Sequence, residues 1–409
     1  MRRKLWKAVL AGTAVGCVMT GTLQAQVLTP EDSLSAGLIA KNSTTVLSGY
    51  GEAKYSYDTK LKTGDATLSR VVLFVGHKFN SKISFFSEME LEHAKVEGGK
   101  IGGEIAMEQA FLKFDVNRDL YLVAGLFIPR IGLINENHLP NTFNGVDRPQ
   151  VETYIIPATW RELGVGVYGR VNGLDGLNYS FALMNGFNVA GLESGTGWRE
   201  GPYLGFNASA ANLAVTGALL YYWNDFRFQA SGYYAGGVGI TPRVADSLHI
   251  DRGVFGVPVW LTEANMVYRH NGIEVKALGA MNGVPQAADV NRVYANNVAK
   301  RMYGAYAEVG YDILHNSRKH RSLTPFVRYE TLNMNADLPE NGVENGALNQ
   351  QYLFVGGSYK PVRGVVIKAD VMLRNTGDLN RQLQFTPYPV NVPYYKNNAL
   401  VNLGIGYSF

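Results

Sequence analysis

The sequence predicts an all-β protein: a transmembrane antiparallel β-barrel of about 16 strands with a long inward-folded loop. Three observations lead there. Apolar and polar residues alternate with a period of two along most of the chain. The joins between alternating segments are short and long in turn. The composition is rich in small and aromatic residues, with 46 Gly, 24 Tyr, 18 Phe and 5 Trp in 409 residues. Glycine serves turns and close strand contacts, and tyrosine suits surfaces that are apolar at one end and wet at the other. A hydrophobic content of 46% excludes a disordered chain, and Cys17 as the single cysteine excludes a disulfide scaffold. After residue 25 no apolar run is long enough to form a spanning helix.

The chain begins with a charged stretch, Arg2, Arg3, Lys4 and Lys7, followed by an apolar segment from Ala8 to about Met19. Leu23-Gln24-Ala25 ends in a small residue suited to signal peptidase. Residues 1–25 therefore read as a secretory signal peptide and are set apart from the fold. The competing reading, a lipoprotein signal acylated at Cys17, has Ala14 where a Leu is usual. The whole chain carries 38 basic and 34 acidic residues. The signal holds four of the bases and no acid, so the exported chain balances at 34 of each. Nucleic-acid binding then lacks electrostatic support. Residues 26–45 are expected to be a short periplasmic segment, and residues 46–409 the barrel.

The strands follow in order. Segment 46–57 carries Glu52 and Lys54 on one face, and 68–79 carries Arg70 and Lys78. In 82–93 the apolar set Ile83, Phe85, Met89 and Leu91 alternates with Lys82, Glu88, Glu90 and Glu92. Segments 104–115 and 119–128 come next, then 161–171, where Arg170 lies opposite the Val165-Val167 face. After 177–185, the segment 214–223 alternates poorly. In 226–236, Arg227, Gln229 and Ser231 share a face. The run continues through 257–269, 272–282 with Glu274 and Lys276, 302–313 with Glu308 and Asp312, and 323–334 with Arg328 and Glu330. It closes with 350–360, 363–374 with Lys368, Asp370 and Arg374, and 398–409, where Val401, Leu403, Ile405, Tyr407 and Phe409 alternate with small or polar residues.

The joins carry the strongest argument. Those after even-numbered segments are tight, as at Asn80-Ser81, Asn117-Arg118, Asn224-Asp225, Asn271 and Pro361-Val362, or a little longer, as at 172–176 and 314–322. Those after odd-numbered segments are long: 129–160, 186–213, 237–256, 283–301, 335–349 and 375–397. Short turns at one end and long loops at the other belong to outer-membrane barrels. A soluble sandwich would rarely keep that rhythm over so many strands. In lipid the apolar set points outward, so the polar residues named above face a lumen. About 16 strands enclose an aqueous channel.

The join 129–160 is stiffened by Pro129, Pro140, Pro149 and Pro157, and carries Arg130, Glu136, His138, Phe143, Asp147, Arg148, Glu152 and Tyr154. Folded into the lumen, it would narrow the passage and place these charges where the field is focused. Arg161 follows it directly.

Gly125-Leu-Phe127-Ile-Pro129-Arg-Ile-Gly132, then Asp147-Arg148-Pro149 and Arg161-Glu-Leu-Gly164-Val165, resembles the phosphate-selective porin O and P family. The resemblance implies a sixteen-stranded barrel, a homotrimer and an inward-folded third external loop. It also implies passage of small hydrophilic solutes or anions, with phosphate among the possibilities. The family's arginine ladder has no residue-by-residue counterpart here, and the candidates for anion contact are Arg130, Arg148, Arg161 and Arg170. Tyr407 and the terminal Phe409 resemble the signal that outer-membrane proteins present to the barrel assembly machinery.

Hydrolase, metalloprotease and nucleotide-binding motifs are absent, and the histidines at 77, 93, 138, 249, 270, 315 and 320 are scattered. No cofactor or metal site is expected. The expected function is a passive porin in the lipids of a Gram-negative outer membrane. A structural or adhesive barrel is the alternative, and a barrel hydrolase a weaker one.

Overall fold

The computed structural model describes residues 44–92, 103–251, 256–317, 321–383 and 394–409. The expected signal peptide, most of segment 26–45, and His93, Arg318, Lys319 and His320 lie outside the described residues. All sixteen expected strands are present. They are β1 (Thr45–Asp58), β2 (Thr63–Lys78), β3 (Ile83–Glu92), β4 (Glu104–Asp115), β5 (Leu120–Phe127), β6 (Glu162–Arg170), β7 (Leu177–Asn185) and β8 (Leu213–Trp223). The second half gives β9 (Phe226–Val238), β10 (Val257–His270), β11 (Ile273–Gly283), β12 (Arg301–Tyr311), β13 (Ser322–Asp337), β14 (Asn349–Val362), β15 (Val365–Thr376) and β16 (Asn397–Ser408). Among the described residues, three short α-helices lie in the joins: α1 (Val151–Tyr154), α2 (Pro242–Leu248) and α3 (Ala287–Tyr294).

Each strand pairs antiparallel with its neighbours in sequence, and β1 pairs with β16 from Tyr50↔Ser408 to Asp58↔Leu400. The Gly49 amide donates to the Phe409 carbonyl at 3.0 Å, and the Phe409 amide returns the bond to Gly49 at 2.9 Å. The sheet is thus a closed 16-stranded antiparallel barrel with no free edge, which satisfies every ladder group. A further two-residue strand, Phe187–Asn188, pairs parallel to the end of β9. At the tight end the chain turns on left-handed residues: Asn224 has φ 50°, and Asn271-Gly272 has φ 47° and 82°. Asn-Gly suits a two-residue hairpin because both positions need positive φ.

Exposure separates the two faces. On β13, Val327 and Tyr329 are each 49% exposed, while Arg328 and Glu330 between and beside them are fully buried. The outward set across the barrel is apolar, including Val165, Leu219, Val355, Leu403 and Ile405. Aromatic residues mark its tight-turn end: Phe79, Trp223, Tyr311, Tyr407 and Phe409 are all exposed. An apolar belt edged by aromatics is what a lipid-facing wall needs.

The inner face departs from the expectation of a uniformly polar, wet lumen. Between β2 and β9 it carries Phe74, Phe86, Phe111, Val123, Tyr168, Met184 and Tyr233. These pack with Phe127, Ile131, Val151, Ile155, Ile156 and Trp160 of the 129–160 region, and with Phe187 and Trp198. Trp160 sits 4.4 Å from Tyr233 and 6.4 Å from Trp198, ring centre to ring centre. An apolar side chain may face inward where another part of the chain covers it, since burial of its surface is favourable wherever water leaves.

The long joins are also tied to one another. Trp198 donates its amide to Tyr154 O at 2.9 Å, and Ser194 to Asn296 O at 3.0 Å. Asn297 and Val343 exchange two bonds of 2.8 and 2.7 Å, and Asn380 Nδ2 donates to Glu344 O at 2.8 Å.

Candidate functional site

Residues of the 129–160 loop bond inner-face residues of the wall at several points. At its start, Gly132 has φ 78°, and a Cβ there would stand 2.6 Å from Glu152 Oε2, so glycine is required twice over. Glu152 opens α1 and accepts the amides of Leu133 and Ile134, each at 2.7 Å, and the hydroxyl of Tyr306 at 2.6 Å. Burial pushes its carboxyl up to about 7, against the pull of these donors. The Gly132 carbonyl accepts from Gln229 on β9 at 3.1 Å.

The middle of the loop reaches the opposite wall. Asn144 donates to Glu308 at 2.9 Å, Lys368 to Gly145 O at 2.9 Å, and the Val146 amide to Asp370 at 2.7 Å. The Lys368 ammonium also stands 3.6 Å from the centre of the Phe143 ring. Asp147 receives Lys54 of β1 at 2.8 Å. Burial raises the Asp147 carboxyl, but Lys54, with Arg328 and Lys368 behind it, holds it below the ordinary range. Further on, the Val151 amide donates to Glu330 at 3.1 Å, and Asn282 to Ile155 O at 2.9 Å.

The wall charges form networks. Arg70 binds Glu52 at 3.0 Å and Glu90 at 2.9 Å. Glu308 receives Lys276 and Arg328, each at 3.2 Å, and Arg328 also binds Glu330 at 2.8 Å. His138 lies between Glu88 and Glu108, 3.4 Å from a carboxylate oxygen of each. Burial pulls the imidazole down, but the two carboxylates outweigh it and hold it at about 9. Glu108 was not among the expected residues. It occupies a β-bulge, where Glu88 pairs with Gln109 and Met89 with Met107. The extra residue turns both Glu108 and Gln109 inward, so strict alternation hides it. Tyr50 and Tyr306 were missed as well, because a tyrosine on an inner face carries no charge to mark it.

The four arginine candidates for anion contact separate. Arg130 is buried against Glu136 at 2.9 Å and stacks on Tyr168. Arg161 is buried 3.9 Å from Glu108. Arg170 is at the tight-turn end, exposed, and bonded to Asp119 at 2.5 Å, far along the strand from the loop. β6 carries it away from the loop end by the length of the strand, so it does not stand with the loop arginines. Asp312, expected on the inner wall, instead caps a turn by accepting the amides of Leu314 and Leu323. Arg148 is the remaining candidate. It is half-buried, donates to His138 O at 3.4 Å, and has no carboxylate at ion-pair distance among the described residues.

Arg227 and Lys360 are likewise half-buried and free of carboxylate partners among the described residues. Among the described residues, Glu152, Glu162, Glu263 and Asp370 are inner acids without a cation at ion-pair distance, buried and bonded to amides or hydroxyls, while Asp58 and Glu104 also lack one and reach solvent. Unpaired charge of both signs therefore reaches solvent on the inner side, positive at Arg148, Arg227 and Lys360 and negative at Asp58 and Glu104. At the seam, Tyr407 lies over Gly51 and the Phe409 ring over Gly49, where a Cβ would come within 2.5 and 3.0 Å respectively.

No known family's model matches the chain. An uncharacterized protein of Aquifex aeolicus (strain VF5) is 30% identical over 347 residues, covering 81% of this chain and 76% of that protein. Among solved structures the barrel is similar to Salmonella typhi OmpF, with a TM-score of 0.55, 14% identity, and 89% and 97% of the two chains covered. It is also similar to an anion-selective porin from Comamonas acidovorans, with a TM-score of 0.53, 10% identity, and 89% and 99% covered. A loop-deletion variant of OmpT, an outer membrane protein of Vibrio cholerae, gives 0.53 at 10% identity, with 90% and 99% covered.

Proposed function

The chain belongs to one family with that Aquifex aeolicus protein, and we propose that it is an outer-membrane porin, a passive path for small hydrophilic solutes. The observation that carries the reading is the inner wall: ion-pair networks and solvent-reaching charges on a barrel whose outer face is apolar. The 129–160 loop folds inward as the constriction, and its reach sets the size limit. The path favours anions weakly, because Arg148 stands on the proposed constriction itself without a carboxylate among the described residues, with Arg227, Lys360 and Arg374 likewise unpaired on the wall. Phosphate is one such anion, in keeping with the resemblance to the O and P family. Export by the N-terminal signal, seating in outer-membrane lipids with help from the assembly machinery, and assembly as a homotrimer belong to the same proposal.

Single-channel conductance in a planar bilayer tests it, with reversal potential in a salt gradient and then added phosphate. Steady conductance with mild anion preference supports the reading. A folded barrel that does not conduct would end it. That outcome would favour the second reading, a structural or adhesive barrel. The observation in its favour is that the loop holds inner-face residues of β3 and β4 at one side and of β12 to β15 at the other.

A further inference from the structure

We propose that Glu88, Glu108 and His138 bind a divalent transition-metal ion of the zinc class, which fastens the loop to the wall at β3 and β4. The three side chains come from β3, from the bulge in β4 and from the loop, and all are buried.

The tautomer comes first. His138 Nδ1 stands 3.0 Å from the carbonyl oxygen of Asn135. A carbonyl only accepts, so Nδ1 carries the hydrogen and Nε2 is the variable position. Nε2 is 3.4 Å from Glu88 Oε1 and 3.4 Å from Glu108 Oε2, yet it makes no hydrogen bond to either, and its side chain is wholly shielded from solvent. With no metal bound, a proton on Nε2 is what offsets the two anions, and a dication between the three atoms would displace that proton and take its place.

The spacing fits a metal. Zinc bound at about 2.0–2.1 Å by nitrogen and oxygen in a tetrahedron sets its donors about 3.3 Å apart. The two nitrogen-to-oxygen separations are each 3.4 Å, and all three donor atoms lie within 4.8 Å of one another. One imidazole and two carboxylates suit a borderline ion, whereas calcium or magnesium would prefer oxygen alone. Two carboxylates with a neutral imidazole also balance a dication.

The supporting groups are in place. Glu88 turns its second oxygen to Gln109 Nε2 at 2.6 Å, and Glu108 turns its second oxygen to the Thr159 hydroxyl at 2.8 Å. Each carboxylate is thereby oriented with one oxygen turned to Nε2, and the Glu108 oxygen so turned also accepts the Tyr50 hydroxyl at 3.3 Å. Outer partners of this kind fix ligand orientation at metal sites.

The test uses the full chain without an affinity tag, folded in detergent, stripped by chelator and dialysed against micromolar zinc. Metal content is then counted per chain. The expected result is one zinc per wild-type chain, with an X-ray absorption edge fitted by one nitrogen and two carboxylate oxygens. H138Q should lose it while the barrel keeps its heat-modifiable migration. E88Q, whose amide oxygen can still face Gln109, is the second variant and should weaken zinc binding at least tenfold. Zinc-free wild-type protein, or a variant that folds and keeps the wild-type zinc content and affinity, overturns the proposal. It stands or falls independently of whether the barrel conducts.

Discussion

Lys54 on the first strand and Asp147 in the middle of the long loop form an ion pair of 2.8 Å that joins loop to wall near the barrel seam. The Asp147 side chain is 40% exposed, so the pair contributes little to stability, about 0–1 kcal/mol. Its larger effect is on charge. Asp147→Asn leaves Lys54 less neutralised. On the porin reading, the reversal potential moves toward anions while thermal stability stays within about 1 kcal/mol of wild type. A shift toward cations would contradict the proposed path.

Arg148→Gln should move selectivity the other way. Arg148 has no carboxylate partner to release, so removing its charge costs no ion pair. The expected outcome is a weaker anion preference with little change in folding. An unchanged reversal potential places the solute path elsewhere.

Glu152 gives the loop a pH dependence with a definite sign. Its folded value, about 7, lies above that of a free glutamate, so the folded protein holds this proton more tightly than the unfolded chain. The contribution is complete below the ordinary glutamate range and is lost as pH rises through about 7. Glu263 adds to the upward push, and Tyr306 hydrogen-bonds the carboxylate. Hydrogen exchange at the Leu133 and Ile134 amides should therefore speed up between pH 5 and 8 beyond its intrinsic rise. Glu152→Gln should remove that excess. An identical excess in the variant rules out Glu152 as its source.

Trp160→Ala opens a cavity where Trp160 meets Phe187, Trp198 and Tyr233. Truncation of so large a buried side chain costs about 3–5 kcal/mol. The loss should fall on loop docking before it falls on the barrel. Limited proteolysis within 129–160 should accelerate while the strand core stays intact. Cleavage no faster than in wild type would show that the aromatic cluster does not hold the loop.

Deleting residues 133–157 removes the proposed constriction. A several-fold rise in single-channel conductance is expected, and an unchanged conductance would show that the narrowest point lies elsewhere.

The strands were legible because lipid and lumen impose opposite demands on alternate residues, and Ile83 to Glu92 or Val401 to Phe409 record both. The inner charges Glu52, Arg70, Lys276, Glu308, Arg328, Lys368 and Asp370 follow from the same parity. Two things were hidden. A bulge changes the parity midway along β4, so alternation counted back from Gln109 and Phe111 would put Glu108 on the lipid side. The apolar inner residues, Phe86 and Phe111 among them, answer to loop segments far away in sequence, which a local period cannot register. Arg170 marks a third limit: parity gives the face of a residue and says nothing of its height along the barrel.

The bonds that run from Trp198 to Tyr154, from Ser194 to Asn296, from Asn297 to Val343 and from Glu344 to Asn380 make the outer joins a single woven collar. A tug on any one thread is then felt by the rest. An antibody gripping the chain at Val343 and Glu344 would thus strain a chain of bonds that ends against Trp160, and a binder chosen at the rim could act on the interior without entering it.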